Sequence, residues 1–288
     1  MSEYQSEICT KLEQYHLIEV TGADTEKYLQ GQLTCDVAKL DIGHQTLTCH
    51  CDPKGKISAL FRLYRHQTEH FFIIIRQELL PEALMQLRKY AVFSKITFTE
   101  LDMPIFGTTS GELIAKFSDK LTACQIGGSP TRYLIWGNTS LKANHNGKEW
   151  DLIDIQNGIP ILHAINQFEL IPQAVNLQKI EQAISFTKGC YIGQETIARA
   201  KYRGANKRAM FTFQGELGID DIPEISRPIE VKFGDNWKST GLILSRVVEN
   251  NQLWLQVVMN KEIEVENEFR VGNIAIKKVA LPYNLDEE

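Results

Sequence analysis

The pattern of apolar residues changes near Arg208, and this change limits the possible folds more than any other feature of the chain. Before it, strand patterns at residues 45–51 and 70–76 are interrupted by helix patterns such as residues 80–92. After it, short strand patterns follow one another directly: residues 210–213, 229–233, 241–248, 253–259 and 269–279. The sequence therefore predicts an α+β protein whose C-terminal part is a separate antiparallel β-barrel domain.

Three domains are predicted from these changes in pattern. A joint near residues 103–107 separates the first two, and the start of the barrel separates the last two. The predicted ranges are 1–103 for an N-terminal α+β domain, 104–204 for a second α+β domain, and 205–288 for the barrel.

Within the second domain, four segments receive specific predictions. Residues 113–117 and 132–136 have the pattern of strands, and residues 150–157 that of a helix ended by Gly158 and Pro160. Residues 167–178 have no clear period and are predicted to form a loop.

Composition places few limits on function. The 288 residues are 43% hydrophobic and 23% charged, and the net charge of −5 argues against unspecific DNA or RNA binding while leaving room for a local cationic groove. No stretch has the apolar length of a membrane span or a signal peptide. Six scattered cysteines then indicate reduced thiols in a cytoplasmic protein without a membrane partner.

The segment 188–199, with sequence KGCYIGQETIAR, is the most unusual part of the chain. Cys190 lies between Gly189 and Gly193, and the cations Lys188 and Arg199 flank the segment. Nearby positive charge stabilises a thiolate, so Cys190 is a candidate functional thiol with Lys188 beside it. The positive end of a helix beginning near Gly193 would also stabilise the thiolate of Cys190. The alternative, a small apolar side chain in a tight turn, has equal weight from composition alone.

Two further groups of residues are candidate sites. Cys49, His50 and Cys51 contain the one close cysteine pair, but no second ligand pair lies at zinc-like spacing, so no metal site is predicted. Five cations follow in ten residues, and they form either a solvated face or a groove for an anion such as RNA phosphate or a polycarboxylate: Arg199, Lys201, Arg203, Lys207 and Arg208.

The segment 188–199 resembles the signature of the YgfZ family, which are folate-binding proteins tied to iron–sulfur enzyme maintenance and tRNA modification. The resemblance continues through residues 200–208 and returns at residues 20–24, 28–32, 89–95 and 171–174. The wider superfamily includes the glycine-cleavage aminomethyltransferase, the T-protein. The resemblance implies three domains in a ring around a central hole that holds tetrahydrofolate.

Comparison with the T-protein implies roles for individual residues. The acidic pair of that enzyme is matched here by Ser58 and Ala59, which favours a protein that is not an aminomethyltransferase. Its folate-binding glutamate is matched by Gln156. The aromatic residues of a YgfZ-type folate pocket are matched by Tyr15 and Trp150, and Arg199 is a further candidate for folate binding.

The expected function is that of a cytoplasmic folate-binding accessory protein. It would support iron–sulfur enzymes, including those that modify tRNA, with Cys190 as an accessible thiol at the rim of the folate hole. Two alternatives stay open at this stage. One is a folate-dependent one-carbon transferase, and the other is a tRNA-binding module that uses the cations of residues 199–208.

Overall fold

The computed structural model describes residues 7–117, 121–137, 141–218, 222–263 and 267–285. The α-helices within these ranges are α1 Thr25–Gln32, α2 Leu80–Lys89, α3 Gly111–Phe117, α4 Gly147–Gln156 and α5 Gln194–Tyr202. The strands are β1 Cys9–Lys11, β2 Tyr15–Thr21, β3 Gln45–Cys51, β4 Ile57–Gln67, β5 His70–Arg76, β6 Thr97–Leu101, β7 Ile105–Thr108, β8 Thr122–Ile126, β9 Arg132–Trp136, β10 Arg208–Glu216, β11 Ile229–Phe233, β12 Asn236–Thr240, β13 Leu242–Glu249, β14 Gln252–Asn260, β15 Phe269–Val271 and β16 Ile274–Val279.

The strands form three antiparallel sheets. The first has the order β3-β4-β5-β2-β6, the second β1-β7-β9-β8, and the third β12-β11-β15-β16-β10-β14-β13. The third sheet curls into a half-barrel. Its alternate side chains, among them Phe213, Val231 and Leu255, face a core of their own. The mixed fold with a C-terminal barrel that the sequence predicts is confirmed.

The largest core joins the first sheet to the segment that carries the signature. Leu29, Phe61 and Ile73 pack there together with Tyr191 and Ile197. The signature therefore packs against the N-terminal sheet, although the predicted range of the second domain includes it. The reverse holds for β1, which lies in the predicted range of the first domain but pairs with β7 of the second sheet.

Most elements of the sequence prediction are found, and several differ. The joint predicted at residues 103–107 contains the start of strand β7, which lies inside the second sheet, and the helix predicted over residues 80–92 ends at Lys89. Residues 113–117 belong to helix α3 and not to a strand, because their few apolar residues fit either period over so short a length. The predicted loop at residues 167–178 contains two short 3₁₀ turns, Pro172–Val175 and Leu177–Lys179. The last predicted strand is divided at Gly272, whose φ of 59° lies in the left-handed region.

No helix in the part of the chain described by the structure is both long enough and apolar enough to span a membrane.

Candidate folate cleft and exposed thiol

The signature loop turns sharply just before α5. Gly193 has a φ of 82° and directly precedes the helix, which begins at Gln194. A Cβ atom at Gly193 would lie 2.7 Å from the carbonyl oxygen of Asp52. Glycine is therefore required twice over, by the backbone conformation and by the close approach of the turn between β3 and β4. The helix begins where the sequence suggested.

Lys188 fastens this loop to the end of α1. Its ammonium group donates hydrogen bonds to the carbonyl oxygens of Gln30 at 2.7 Å, Leu33 at 2.5 Å and Cys35 at 2.7 Å. Carbonyl groups at a helix C-terminus lack partners within the helix and attract a cation. Only 9% of Lys188 is exposed, and this burial lowers the pKa of its ammonium group to about 8.

Cys190 is exposed, whereas Lys188 on one side and Tyr191 on the other are buried. Neither candidate cation is directed at its sulfur by a hydrogen bond within the described ranges. Lys188 binds the carbonyl groups of α1, and the guanidinium of Arg199 donates to Glu195, one turn earlier in α5, at 2.6 Å. The loop thus presents the thiol to solvent by anchoring the residues around it.

A cleft lies between the first sheet and the segment that follows α4. Tyr15 of β2, Arg62 of β4, Arg76 of β5, Asp154 of α4 and Pro160 are among the residues that line it. The volume of the cleft is only about 30 Å³. Small-molecule sites typically measure about 300–1,000 Å³, so the cleft is narrow as it stands. Cys190 does not line it.

The polar groups of this cleft retain unused hydrogen-bonding capacity. The guanidinium of Arg76 lies 5.5 Å from the centre of the Tyr15 ring and donates to Asp151 at 3.0 Å. Arg62 donates to Glu181 at 2.7 Å. Nevertheless, Nη2 of Arg62 is buried and has no hydrogen-bond partner within the described ranges. Nε of Arg76 is also buried without a hydrogen bond, but it lies 3.7 Å from the carboxylate of Glu78 in an ion pair. Buried donors are normally paired, so Nη2 of Arg62 points to a polar ligand.

Asp154 supplies a carboxylate at the same cleft. It accepts a hydrogen bond from Arg132 at 2.6 Å, and Arg132 is fully buried. Burial raises the pKa of Asp154, and the positive charge of Arg132 opposes this rise. Burial likewise raises the pKa of Tyr15, because the phenolate form would lose its hydration.

The structure does not bring all the predicted folate-binding residues to this cleft. Tyr15 lines it, but Gln156 is exposed. Trp150 is only 1% exposed and does not line the cleft, and the guanidinium of Arg132 lies 4.6 Å from the centre of its ring. Successive residues of an α-helix are turned by about 100°, so Asp154 and Gln156 face in nearly opposite directions. The sequence match pointed to Gln156, whereas Asp154 of the same helix faces the cleft.

The positions that match the acidic pair of the T-protein lie within β4 and are buried. Ser58 is hydrogen-bonded to Nδ1 of His50 at 2.6 Å, and Ala59 packs in the core of the first sheet. Burial lowers the pKa of His50 to about 4, so His50 is neutral near pH 7. No carboxylate occupies either position.

Two candidate groups from the sequence remain, the pair of Cys49 and Cys51 and the cations of residues 199–208. Cys49 and Cys51 are buried with their sulfur atoms 3.8 Å apart, and burial raises the pKa of Cys51 well above its usual value. No cluster of three or more metal-ligating side chains occurs among the residues that the structure describes. Among the cations of residues 199–208, Lys201 lies over the ring of Phe186, Lys207 lies 3.8 Å from Glu262, and Arg203 and Arg208 are exposed.

The fold defines a class, that of proteins with the aminomethyltransferase fold. The structure superposes on the glycine cleavage system aminomethyltransferase T from Bartonella henselae with a TM-score of 0.69 over 96% of this chain and 86% of that chain, at 12% sequence identity. Residues 206–273 match the family model "YgfZ, beta-barrel domain". Their match coincides with most of the third sheet.

The sequence comparisons then specify the family. The chain is 38% identical to the "tRNA-modifying protein YgfZ" of Photorhabdus laumondii over 96% of this chain and 92% of that protein. It is 38% identical to the protein of the same description from Enterobacter sp., over 96% of this chain and 93% of that protein. A Haemophilus influenzae protein is 50% identical over 96% of this chain and 98% of its own length. The chain belongs to the YgfZ family.

Proposed function

We propose that this protein binds tetrahydrofolate in the cleft beside Tyr15 and supports iron–sulfur enzymes, and through them tRNA modification, with Cys190 as its functional thiol. The buried Nη2 donor of Arg62, which has no hydrogen-bond partner among the described residues, is the main observation in support of a ligand in the cleft. The names of the two relatives from Photorhabdus laumondii and Enterobacter support the connection with tRNA.

The residues of the cleft fit the functional groups of a reduced folate. A pterin ring carries both hydrogen-bond donors and a carbonyl acceptor on one edge. Asp154 offers an acceptor for the donors, and the unpaired N–H group of Arg62 offers a donor for the carbonyl oxygen. The ring of Tyr15 provides a stacking surface. Bound tetrahydrofolate would provide the protein with a carrier of one-carbon units.

Binding requires the cleft to widen, because a pterin does not fit into its present volume of about 30 Å³. Tyr15 is half-buried and is contacted by Arg76 at the cleft, so these two side chains are the natural parts to move. Trp150 does not line the cleft and contributes by supporting Arg132, which in turn holds Asp154.

Cys190 is proposed to act separately from the folate site. It is exposed on a loop that Lys188 anchors, and it does not line the cleft. An accessible thiol on an ordered loop can meet a partner protein without any opening of the fold. Arg199 pairs with Glu195 within α5, the helix that directly follows the loop.

A one-carbon transferase is less well supported, since Ser58 and Ala59 replace the acidic pair and are buried in β4. An RNA-binding module is also less well supported, since the cations of residues 199–208 are divided between an aromatic ring, two carboxylates and solvent.

Calorimetric titration of the full chain with tetrahydrofolate tests the cleft. The Tyr15→Ala variant is expected to lose at least about tenfold in affinity, since it removes the stacking surface. The Gln156→Ala variant is the matched control from the exposed side of α4 and is expected to bind like wild type. Wild-type affinity in Tyr15→Ala, or lost affinity only in Gln156→Ala, would contradict the assignment of the cleft.

Complementation tests the thiol. The Cys190→Ser variant is expected to bind tetrahydrofolate normally but to fail to restore iron–sulfur enzyme activity in a bacterial strain that lacks the protein. Cys9→Ser serves as the control, because Cys9 is half-buried in β1 and belongs to the second sheet. Full restoration by Cys190→Ser would remove the thiol from the proposal and leave the folate site standing.

A further inference from the structure

A second cavity lies between the half-barrel and the loop that follows α4, away from the folate cleft. Its volume is about 540 Å³, within the range of about 300–1,000 Å³ typical of small-molecule sites. Its lining comes from residues 165–170 on one side and from the ends of β10, β12, β13 and β14 on the other. No residue of this cavity is shared with the cleft beside Tyr15.

The floor and rim of this cavity are apolar. Leu170, Leu244 and Val258 form the floor and belong to the largest core. At the rim, Ile165 is 63% exposed and Leu242 is 47% exposed. Two large aliphatic side chains held in solvent at the mouth of a formed cavity are typical of a binding site for an apolar group.

The backbone around the cavity is irregular in the way that binding sites often are. Ser226 lines it with a φ of 66°, and Phe168, beside the lining residue Glu169, has a φ of 64°. A β-bulge interrupts the pairing of β13 with β14 between Ile243 and Ser245. Asn166 donates to the Ser226 hydroxyl at 3.3 Å, which ties the loop to the half-barrel across the cavity.

Two opposite charges line the cavity without neutralising each other. Arg208 and Glu169 are both exposed, and their charged groups have neither an ion pair nor a side-chain hydrogen bond within the described ranges. The ammonium group of Lys56 donates to the backbone carbonyl oxygen of Glu169 at 2.9 Å. The two charged groups lie farther apart than the 4.0 Å of a salt bridge.

We infer that this cavity binds a free α-amino acid with an aliphatic side chain. Arg208 pairs with the α-carboxylate, Glu169 pairs with the α-ammonium group, and the apolar floor receives the side chain. A ligand with both charges on one carbon satisfies both residues at once, whereas a simple anion would leave Glu169 unpaired beside it. This inference does not depend on the proposed folate site or on Cys190.

Titration of the full chain with L-leucine, followed by the NMR signals of the Leu242, Leu244 and Val258 methyl groups, tests the inference. Four analogues separate the three contacts. L-Serine lacks the apolar side chain, 3-methylbutylamine lacks the carboxylate, 4-methylpentanoate lacks the ammonium group, and N-acetyl-leucinamide lacks both charges. Leucine is expected to shift these signals, and each analogue is expected to bind at least about tenfold more weakly.

Two variants and two controls assign the charges. Arg208→Gln and Glu169→Gln are each expected to raise the Kd for leucine at least about tenfold. Arg208→Gln should abolish the residual binding of 4-methylpentanoate, and Glu169→Gln that of 3-methylbutylamine. The controls Arg203→Gln and Glu216→Gln, exposed residues outside the cavity, should bind leucine like wild type.

Three results would overturn the inference. One is the absence of any methyl shift up to about 10 mM leucine. Another is equal binding of leucine and an analogue that lacks one charge. The third is unchanged leucine binding in both lining variants when their unfolding transitions match that of the wild type.

Discussion

The ammonium nitrogen of Lys188 lies 2.5 Å from the carbonyl oxygen of Leu33, which is the residue that caps the C-terminus of α1. The two residues are 155 positions apart in the sequence. This contact joins the signature loop to the N-terminal domain and explains why a lysine precedes the exposed thiol. Its role is to position the loop.

Replacing Lys188 should therefore destabilise the fold as well as the loop. Lys188→Met removes a buried charged donor and leaves three carbonyl oxygens without their partner, at an expected cost of about 3 kcal/mol in the free energy of unfolding. Urea unfolding measures this cost. Lys54→Met, at an exposed turn residue, is the control and should change stability by less than about 0.5 kcal/mol. Equal stability of the two variants would contradict the anchoring role.

The two glycines that flank Cys190 should respond differently to alanine. Gly193→Ala introduces a Cβ atom 2.7 Å from a backbone oxygen at a φ of 82°, so we expect a loss of at least about 2 kcal/mol. Gly189→Ala meets no atom within 4 Å and should be neutral to within about 0.5 kcal/mol. Thermal unfolding of the pair checks this, and a costly Gly189→Ala would show that the loop is packed differently.

The six cysteines should differ in their reactivity according to how exposed their thiols are. In the native protein Cys190 should react rapidly with a chromogenic disulfide reagent, because it is exposed, whereas Cys35, Cys49, Cys51 and Cys124 are buried and should react only on unfolding. Cys190→Ser should remove the rapid phase, and Cys9→Ser should retain it. In denaturant all six cysteines of the chain should react. A rapid phase that persists in the Cys190→Ser variant would show that another cysteine is the reactive one.

The buried pair of His50 and Ser58 should make stability depend on pH. Burial lowers the pKa of His50 in the folded protein to about 4, against a usual value of 6.5. The unfolded chain therefore binds the proton more tightly, and stability should fall as the pH decreases from 6.5 to 4, by up to about 3 kcal/mol.

Urea unfolding at pH 7 and pH 4.5 measures this dependence. His50→Asn should reduce the difference between the two pH values even if it lowers stability at both. His44→Asn, at an exposed position, should leave the difference unchanged. An equal pH dependence in wild type and His50→Asn would assign it to other groups.

The close packing of Trp150 on the second sheet should be intolerant of added volume. A Cβ atom at Gly107 of β7 would lie 2.4 Å from the Trp150 ring, so Gly107→Ala is expected to cost about 1–3 kcal/mol. Gly127→Ala, which meets no atom within 4 Å, is the control. The emission maximum of tryptophan in Gly107→Ala should shift to longer wavelength if the ring is displaced; an unchanged spectrum with full stability would contradict the packing described.

Much of the fold follows from the sequence because periodicity is a local property. The strands at residues 45–51 and 70–76, the helix before Gly158 and the succession of strands after Arg208 are each recorded in the spacing of apolar residues. Residues 113–117 have the spacing of a strand although they form part of helix α3, because five residues are too few to separate the two periods. The segment 188–199 likewise carries the family resemblance in consecutive residues, without any tertiary contact.

The site, in contrast, was decided by tertiary structure, since it depends on which distant residues meet. The sequence alone could place Lys188 beside Cys190, but only the fold could turn its ammonium group toward α1, more than 150 positions away. Similarly, sequence matching pointed to Gln156, and the rotation of α4 brings Asp154 to the cleft instead. Local pattern determines which elements form, and the packing between elements determines which side chains face a ligand.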